Sequence, residues 1–213
     1  MSTEKGKLLL LGGTGFVGGE ILSYATSQGY KVVAVSRRGV PPDGSPANPN
    51  VDWRKGNAVD PSLVPTILSE GGFTGVVHAV GMLFEGDINR LASGSGSVPT
   101  PGSTYDDVTR KTALNALAAV TNAPADRALP FAFVSAAEAR WTFDAAFEGT
   151  PAAWLRRYLV AKRAVEDALL GAGDAGRVRP IIVRPSLVWT WSKPGCEPLP
   201  PTPFYFPAAV ISQ

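Results

Sequence analysis

The sequence predicts an α/β domain built on a doubly wound, mainly parallel sheet. Three observations carry this: strand-like and helix-like segments alternate from Lys7 to Arg184, the first two strands read as short apolar runs, and a glycine-rich turn joins the first strand to the first helix. With 45% hydrophobic and 18% charged residues in 213, the chain has enough apolar material for one sizeable core. A net charge of +2 gives no electrostatic reason to expect nucleic acid as a partner.

Lys7 to Leu11 is apolar, stops at Gly12 and reads as a buried strand. Phe16, Val17, Ile21, Leu22 and Ala25 recur at helical spacing from Phe16 to about Gln28, with Gly29 as C-terminal cap. Lys31 to Ser36 is a second strand, completing a βαβ unit. Residues 39–50, rich in Pro, Gly, Asn and Asp, form a loop. Val51 to Lys55 is a third strand, and Pro61 to Glu70 a helix with Asp60 as N-cap and Pro61 in its first position. Gly75 to Val80 is a fourth strand. Met82 to Thr104 is a long loop with a Gly/Ser/Pro-rich centre, of a length usually functional or disordered. Tyr105 to Asn122 reads as a helix, Phe131 to Ser135 as a strand, Ala152 to Leu170 as a helix, and Val178 to Arg184 as a strand ahead of Pro185. Beyond it Trp189, Trp191, Phe204, Tyr205 and Phe206 lie among prolines with no period. Residues 1–190 are therefore expected to form one domain, and 191–213 an irregular Pro/aromatic arm packed on it or on a partner.

The single cysteine, Cys196, excludes a disulfide within the chain and makes a reducing compartment the default. The apolar stretch Leu8 to Leu11 is far short of the roughly 20 residues of a membrane span, and no transmembrane segment is expected. Met1-Ser-Thr-Glu-Lys-Gly has no signal- or transit-peptide character, so an organelle location would need a presequence not visible here.

Gly12-Gly13-Thr14-Gly15-Phe16-Val17-Gly18 contains Gly12-x-x-Gly15-x-x-Gly18. Between a strand and a helix, such a turn lets backbone N–H groups approach a pyrophosphate, whose charge then sits at the helix N-terminus. This makes the domain a Rossmann-type dinucleotide binder, with Gly12, Thr14, Gly15, Phe16, Val17 and Gly18 at the cofactor. An acid at the end of the second strand would bind ribose hydroxyls and repel a 2′-phosphate; Ser36, Arg37 and Arg38 stand there instead. Arginine binds phosphate through a fork of charged donors, which favours NADP(H) over NAD(H). Asn57, after Gly56, is placed to contact adenine, and His78, Ala79 and Gly81 bring the fourth strand's end close to the cofactor. His78, the only histidine, reads first as a core residue.

Tyr158 and Lys162 stand at i and i+4 on one helix face. An ammonium beside a phenol is expected to lower the phenol's pKa, letting the tyrosine exchange a proton with a carbonyl oxygen while a nicotinamide carries hydride.

The Gly12–Gly18 turn, Gly56-Asn57 with Asp60, His78 to Gly81, Tyr158 with Lys162, and Arg184-Pro185 together resemble the short-chain dehydrogenase/reductase superfamily in its extended and atypical branches, over about residues 7–190. The resemblance implies Tyr158 as proton donor, Lys162 on the nicotinamide ribose, and Arg184 and Pro185 beside the cofactor. A Ser or Thr at the end of the fifth strand would orient the substrate; here Ser135 is the candidate, although in many extended members the hydroxyl falls one residue later, at Ala136. The family's Asp after the third strand is Asn57. No large C-terminal part follows Arg184-Pro185 in this sequence, so a small substrate, a partner or a membrane surface is expected to complete the pocket, unless there is no substrate.

Leu10 to Gly18, Val35 to Gly39, Val76 to Leu83, the loop before Tyr105 and the run Tyr158 to Glu166 resemble atypical members associated with coenzyme Q biosynthesis in fungal mitochondria. Those members are relatives of the NADPH-binding accessory subunit of respiratory complex I. The resemblance implies the matrix face of the mitochondrial inner membrane and other protein subunits as partners, with a plastid as the alternative. Two functions stand side by side. One is a cofactor-holding structural or regulatory subunit of a membrane-associated complex. The other is an NADP(H)-dependent oxidoreductase acting on a small carbonyl, hydroxyl or quinone-type substrate.

Overall fold

Leu9, Leu10 and Leu11 in the first strand are at most 1% exposed, because helices cover both faces of the sheet they occupy. The structure, a computed structural model, describes residues 5–85, 103–123 and 128–186. Six strands, β1 (Lys7–Leu11), β2 (Lys31–Ser36), β3 (Val51–Lys55), β4 (Phe73–His78), β5 (Leu129–Val134) and β6 (Val178–Val183), form one sheet. Its order is β3-β2-β1-β4-β5-β6, and every pairing is parallel. This is the Rossmann-type doubly wound arrangement. The order reverses between β1 and β4, which opens a crevice over the carboxyl ends of those two strands.

One face is covered by α1 (Phe16–Ser27), whose Ile21, Leu22 and Ala25 meet Leu10, Val32 and Ala34. On the other face lie α2 (Leu63–Leu68), α3 (Thr112–Asn122) and α4 (Ala153–Asp174). They pack Val64, Ala116, Val120, Val165 and Leu169 against Leu9, Leu11, Val33, Val76, Phe131 and Phe133. Among the described residues, no helix is long and apolar enough to cross a membrane.

Several boundaries differ from the sequence expectation, each for a local reason. The helix expected from Pro61 begins at Leu63, because Asp60 Oδ1 accepts from the Ser62 N–H (2.9 Å) and hydroxyl (2.7 Å) and holds a separate turn ahead of it. β4 lies two residues earlier than expected, with His78 opposite Leu11, so that Ala79 and Val80 leave the sheet. The helix expected from Tyr105 starts as a π-helical stretch, Asp106–Lys111, before α3. α4 runs past Leu170 to Asp174; Gly173 belongs there because a Cβ would come within 2.7 Å of the Pro180 ring. Two 3₁₀ turns, Ala137–Arg140 and Asp144–Phe147, had no sequence signal. The arm at 191–213, and with it the domain boundary, lies outside the described residues, as does the centre of the 82–104 loop.

Candidate cofactor and active site

The glycine turn is shaped by backbone contact. Gly12 has φ +92°, where an L side chain is strained, and a Cβ on it would lie 2.9 Å from the Ala79–Val80 backbone. A Cβ on Gly18 would lie 2.1 Å from the Gly12 carbonyl oxygen. The turn is thus locked against the end of β4, at the crevice. Gly15 is the N-cap of α1, no side chain caps it, and the first turn carries no acid. The helix therefore presents the positive end of its dipole with no carboxylate in its own first turn, an arrangement that fits a phosphate. Thr14, Gly15, Phe16 and Val17 form its half-buried rim.

Beyond β2, the Ser36 hydroxyl accepts the Gly39 N–H (3.0 Å) and its carbonyl accepts the Gly56 N–H (3.0 Å). Gly39, at φ +71°, leaves no room for a Cβ beside Lys55. Ser36 therefore makes the turn that exposes Arg37 and Arg38. Asn57 is exposed and accepts the Val59 N–H, while Asn115 of α3 donates to the Ala58 and Val59 carbonyls.

His78 is fully buried, with Nε2 2.9 Å from the Thr112 hydroxyl and its ring 5.7 Å from that of Phe133. Thr112 gives its own proton to the Val108 carbonyl at 2.6 Å, which makes His78 Nε2 the donor. Nδ1 has no partner among the described residues. Burial, helped by the charge of Lys162, pushes the imidazole down to about 3. His78 is a neutral core residue at physiological pH.

Lys162, 4% exposed, donates from Nζ to the Val134 carbonyl at 2.7 Å. That nitrogen lies 5.0 Å from the Phe133 ring centre, 5.5 Å from that of Tyr158, and 3.7 Å from where a Cβ on Gly81 would be. It thus occupies the gap between the ends of β4 and β5. Burial lowers it to about 8, opposed by Glu166.

Tyr158 corrects an expectation. Its phenol is pushed up to about 12, first by burial and then by Glu138 and Tyr105. Lys162 directs its ammonium to Val134 and does not activate the phenol. Tyr158 meets Tyr105 edge-on at 5.6 Å; Tyr105 in turn donates its hydroxyl to the Leu83 carbonyl, and Glu85 pairs with Arg157 at 2.7 Å. Met82, Tyr105 and Ala161 bury a small apolar cluster against Trp154 and Tyr158.

Ser135 is 2% exposed, and its hydroxyl donates to Glu166 at 2.5 Å. Glu166, fully buried, also accepts from Arg140 Nε at 2.7 Å and from two Arg184 nitrogens at 3.0 and 2.9 Å. Ser135, expected to orient a substrate, and Arg184, expected beside the cofactor, thus converge on one carboxylate. Ala136 is buried at 3% exposure, and Pro185 offers its carbonyl to the Ala137 N–H. Sequence reasoning passed over Glu166, although it continues the Tyr158–Lys162 helix face by one further turn. Among the described residues, no group of His, Cys, Asp and Glu could hold a metal.

The model of the NAD dependent epimerase/dehydratase family matches residues 8–191. A short-chain dehydrogenase from Burkholderia cenocepacia, solved in complex with NADP, has a similar fold at a TM-score of 0.64 and 17% identity, over 93% of this chain and 79% of its own. The Bordetella bronchiseptica enzyme WbmF, in complex with NAD+, gives a TM-score of 0.59 and 14% identity over 85% of this chain and 50% of its own. In sequence, the chain is 35% identical over 86 residues to MIOREX complex component 2 of Saccharomyces cerevisiae, covering 38% of this chain and 30% of that protein. It is also 36% identical over 104 residues to the Streptomyces halstedii polyketide synthase GfsA, covering 42% of this chain and 1% of that protein. The chain thus spans under a third of the curated relatives it matches, and about half of several of the solved ones.

Proposed function

The chain belongs to the NAD dependent epimerase/dehydratase family, and from that premise we propose that it holds NADP(H) as a structural or regulatory subunit of a membrane-associated complex. One observation carries this reading: the glycine turn is locked against the end of β4, while the hydroxyl that follows β5, the strand beside β4, is not free for substrate. Ser135 is bound to Glu166, and Ala136 follows it.

In this reading Gly12, Thr14, Gly15 and the first turn of α1 hold the pyrophosphate. Arg37 and Arg38 hold the 2′-phosphate, and Lys162, facing Gly81, holds the nicotinamide ribose. The bound nucleotide supplies hydride chemistry. Tyr158 stays protonated at neutral pH and acts as a hydrogen-bond donor. The partial likeness to a component of the MIOREX complex supports a role among other subunits. The mitochondrial setting, and kinship with quinone-biosynthesis and complex I accessory proteins, rest on the sequence runs named above.

Fluorescence titration with NADPH and NADH tests it. NADPH should bind more tightly, and Arg37→Asp should weaken NADPH at least about tenfold while leaving NADH alone. Binding of neither nucleotide overturns the reading, and a solely monomeric protein in native extract overturns the subunit role. A second reading, an NADP(H)-dependent oxidoreductase of a small carbonyl or quinone-type substrate, is favoured by Tyr158 and Lys162 lying together on α4. It requires Tyr158→Phe to abolish turnover.

A further inference from the structure

Two consecutive turns of α4 grip two consecutive residues at the end of β5: Lys162 holds the carbonyl of Val134, the strand's last residue, and Glu166 holds the hydroxyl of Ser135, which follows it. Glu166 also takes Arg140 from the first 3₁₀ turn and two nitrogens of Arg184 from the end of β6. With no exposed surface, it joins α4, β5, β6 and the turn after β5 at one point. A buried carboxylate that accepts four hydrogen bonds from three side chains is rigid, because moving any element leaves a charge unpaired. Lys162 stands one helical turn away.

We propose that Glu166 is a positioning residue for Lys162, fixing its ammonium at the gap between β4 and β5 and keeping it charged there. That the charge serves a nucleotide ribose rests on the NADP(H) reading; the positioning does not. Burial alone pushes an ammonium toward its neutral form. Among the described residues, the titratable groups around Lys162 are His78 from β4, Tyr158 and Glu166 from its own helix, and, through Glu166, Arg140 and Arg184. His78 and Tyr158 are uncharged at neutral pH, so Glu166 is the anion that opposes the burial of Lys162, with the two arginines competing for it. The balance predicts opposite effects. Removing the Glu166 charge exposes Lys162 to unopposed cations, whereas removing the Arg184 charge leaves more of the carboxylate to Lys162.

The test is NMR titration of the full chain carrying ¹³C-labelled lysine, with the Lys162 signal assigned by its loss in Lys162→Arg. Glu166→Gln should lower the Lys162 midpoint by about one pH unit. Arg184→Gln should raise it, and Arg184→Lys should return it to the wild-type value. A merely structural role would destabilise these variants without moving the midpoint in opposite directions. The proposal is overturned if the midpoint stays fixed in whichever variants fold, or if the wild-type midpoint is that of an ordinary exposed lysine. NADPH titration on the same samples separates the two ideas. A wild type that binds no NADPH while its Lys162 midpoint shifts as described removes the cofactor reading and keeps the positioning role.

Discussion

From β1 to β3 the molecule is shaped by backbone; from β4 to β6 it is shaped by buried polar side chains. In the first region Gly12 and Gly18 are pressed against carbonyls and peptide planes, and the side chains at the turn after β2 are exposed. In the second, His78, Thr112, Ser135, Lys162 and Glu166 are all under 9% exposed, and each has a named polar partner. The first region depends on a few positions where no side chain fits. The second depends on whole sets of residues, since removing one member strands the others.

The largest expected effect is in the backbone region. Gly18→Ala forces a methyl to within 2.1 Å of the Gly12 oxygen, and urea unfolding should show a loss of about 3 kcal/mol. Wild-type stability in that variant would erase the contrast, because the turn would then have room to give.

The next effect is a pH dependence in the side-chain region. His78 falls from 6.5 to about 3 on folding, so between those values the unfolded chain binds a proton that the folded one does not. Its contribution is complete above pH 6.5 and is lost as the pH falls, by about 1.4 kcal/mol per unit well inside the window. From pH 6.5 to 4.5 unfolding free energy should drop by about 2 kcal/mol, and His78→Gln should flatten that stretch. Lys162, lowered to about 8, titrates above this window.

The smallest effect sharpens the role of β5. Ser135→Ala should cost about 1.5 kcal/mol, the worth of a hydrogen bond to a buried carboxylate, and leave NADPH affinity unchanged. A hydroxyl that served a substrate would instead cost turnover with stability kept.

The same contrast explains what the sequence disclosed. The glycine turn was legible because its cause is local: strand, glycines and helix lie within twelve residues, Lys7 to Gly18. The inner strands β1 and β2 were legible as apolar runs, whereas β3, at the sheet edge, is polar and carries no buried residue. The Glu166 site was not legible, because its partners Ser135, Arg140 and Arg184 come from three separate segments, and Ser135 and Arg184 each carried another expected role, toward substrate and cofactor. The Tyr158–Lys162 spacing was read correctly as one helix face. The sign of the phenol's shift was not, since it depends on burial and on where Lys162 Nζ points. The π-helical opening before α3 had no pattern to betray it.

The contact between Gly12 and the Ala79–Val80 peptide also has a meaning in time. A turn that touches the next strand's end through bare backbone, with no side chain between them to swing aside, cannot open while that end stays shut. The amides from Gly12 to Gly18 and those of Ala79 to Gly81 should therefore exchange with solvent deuterium as one cooperative unit. The two banks of the crevice would then loosen and tighten together, and a molecule lying across them would be felt on both sides at once.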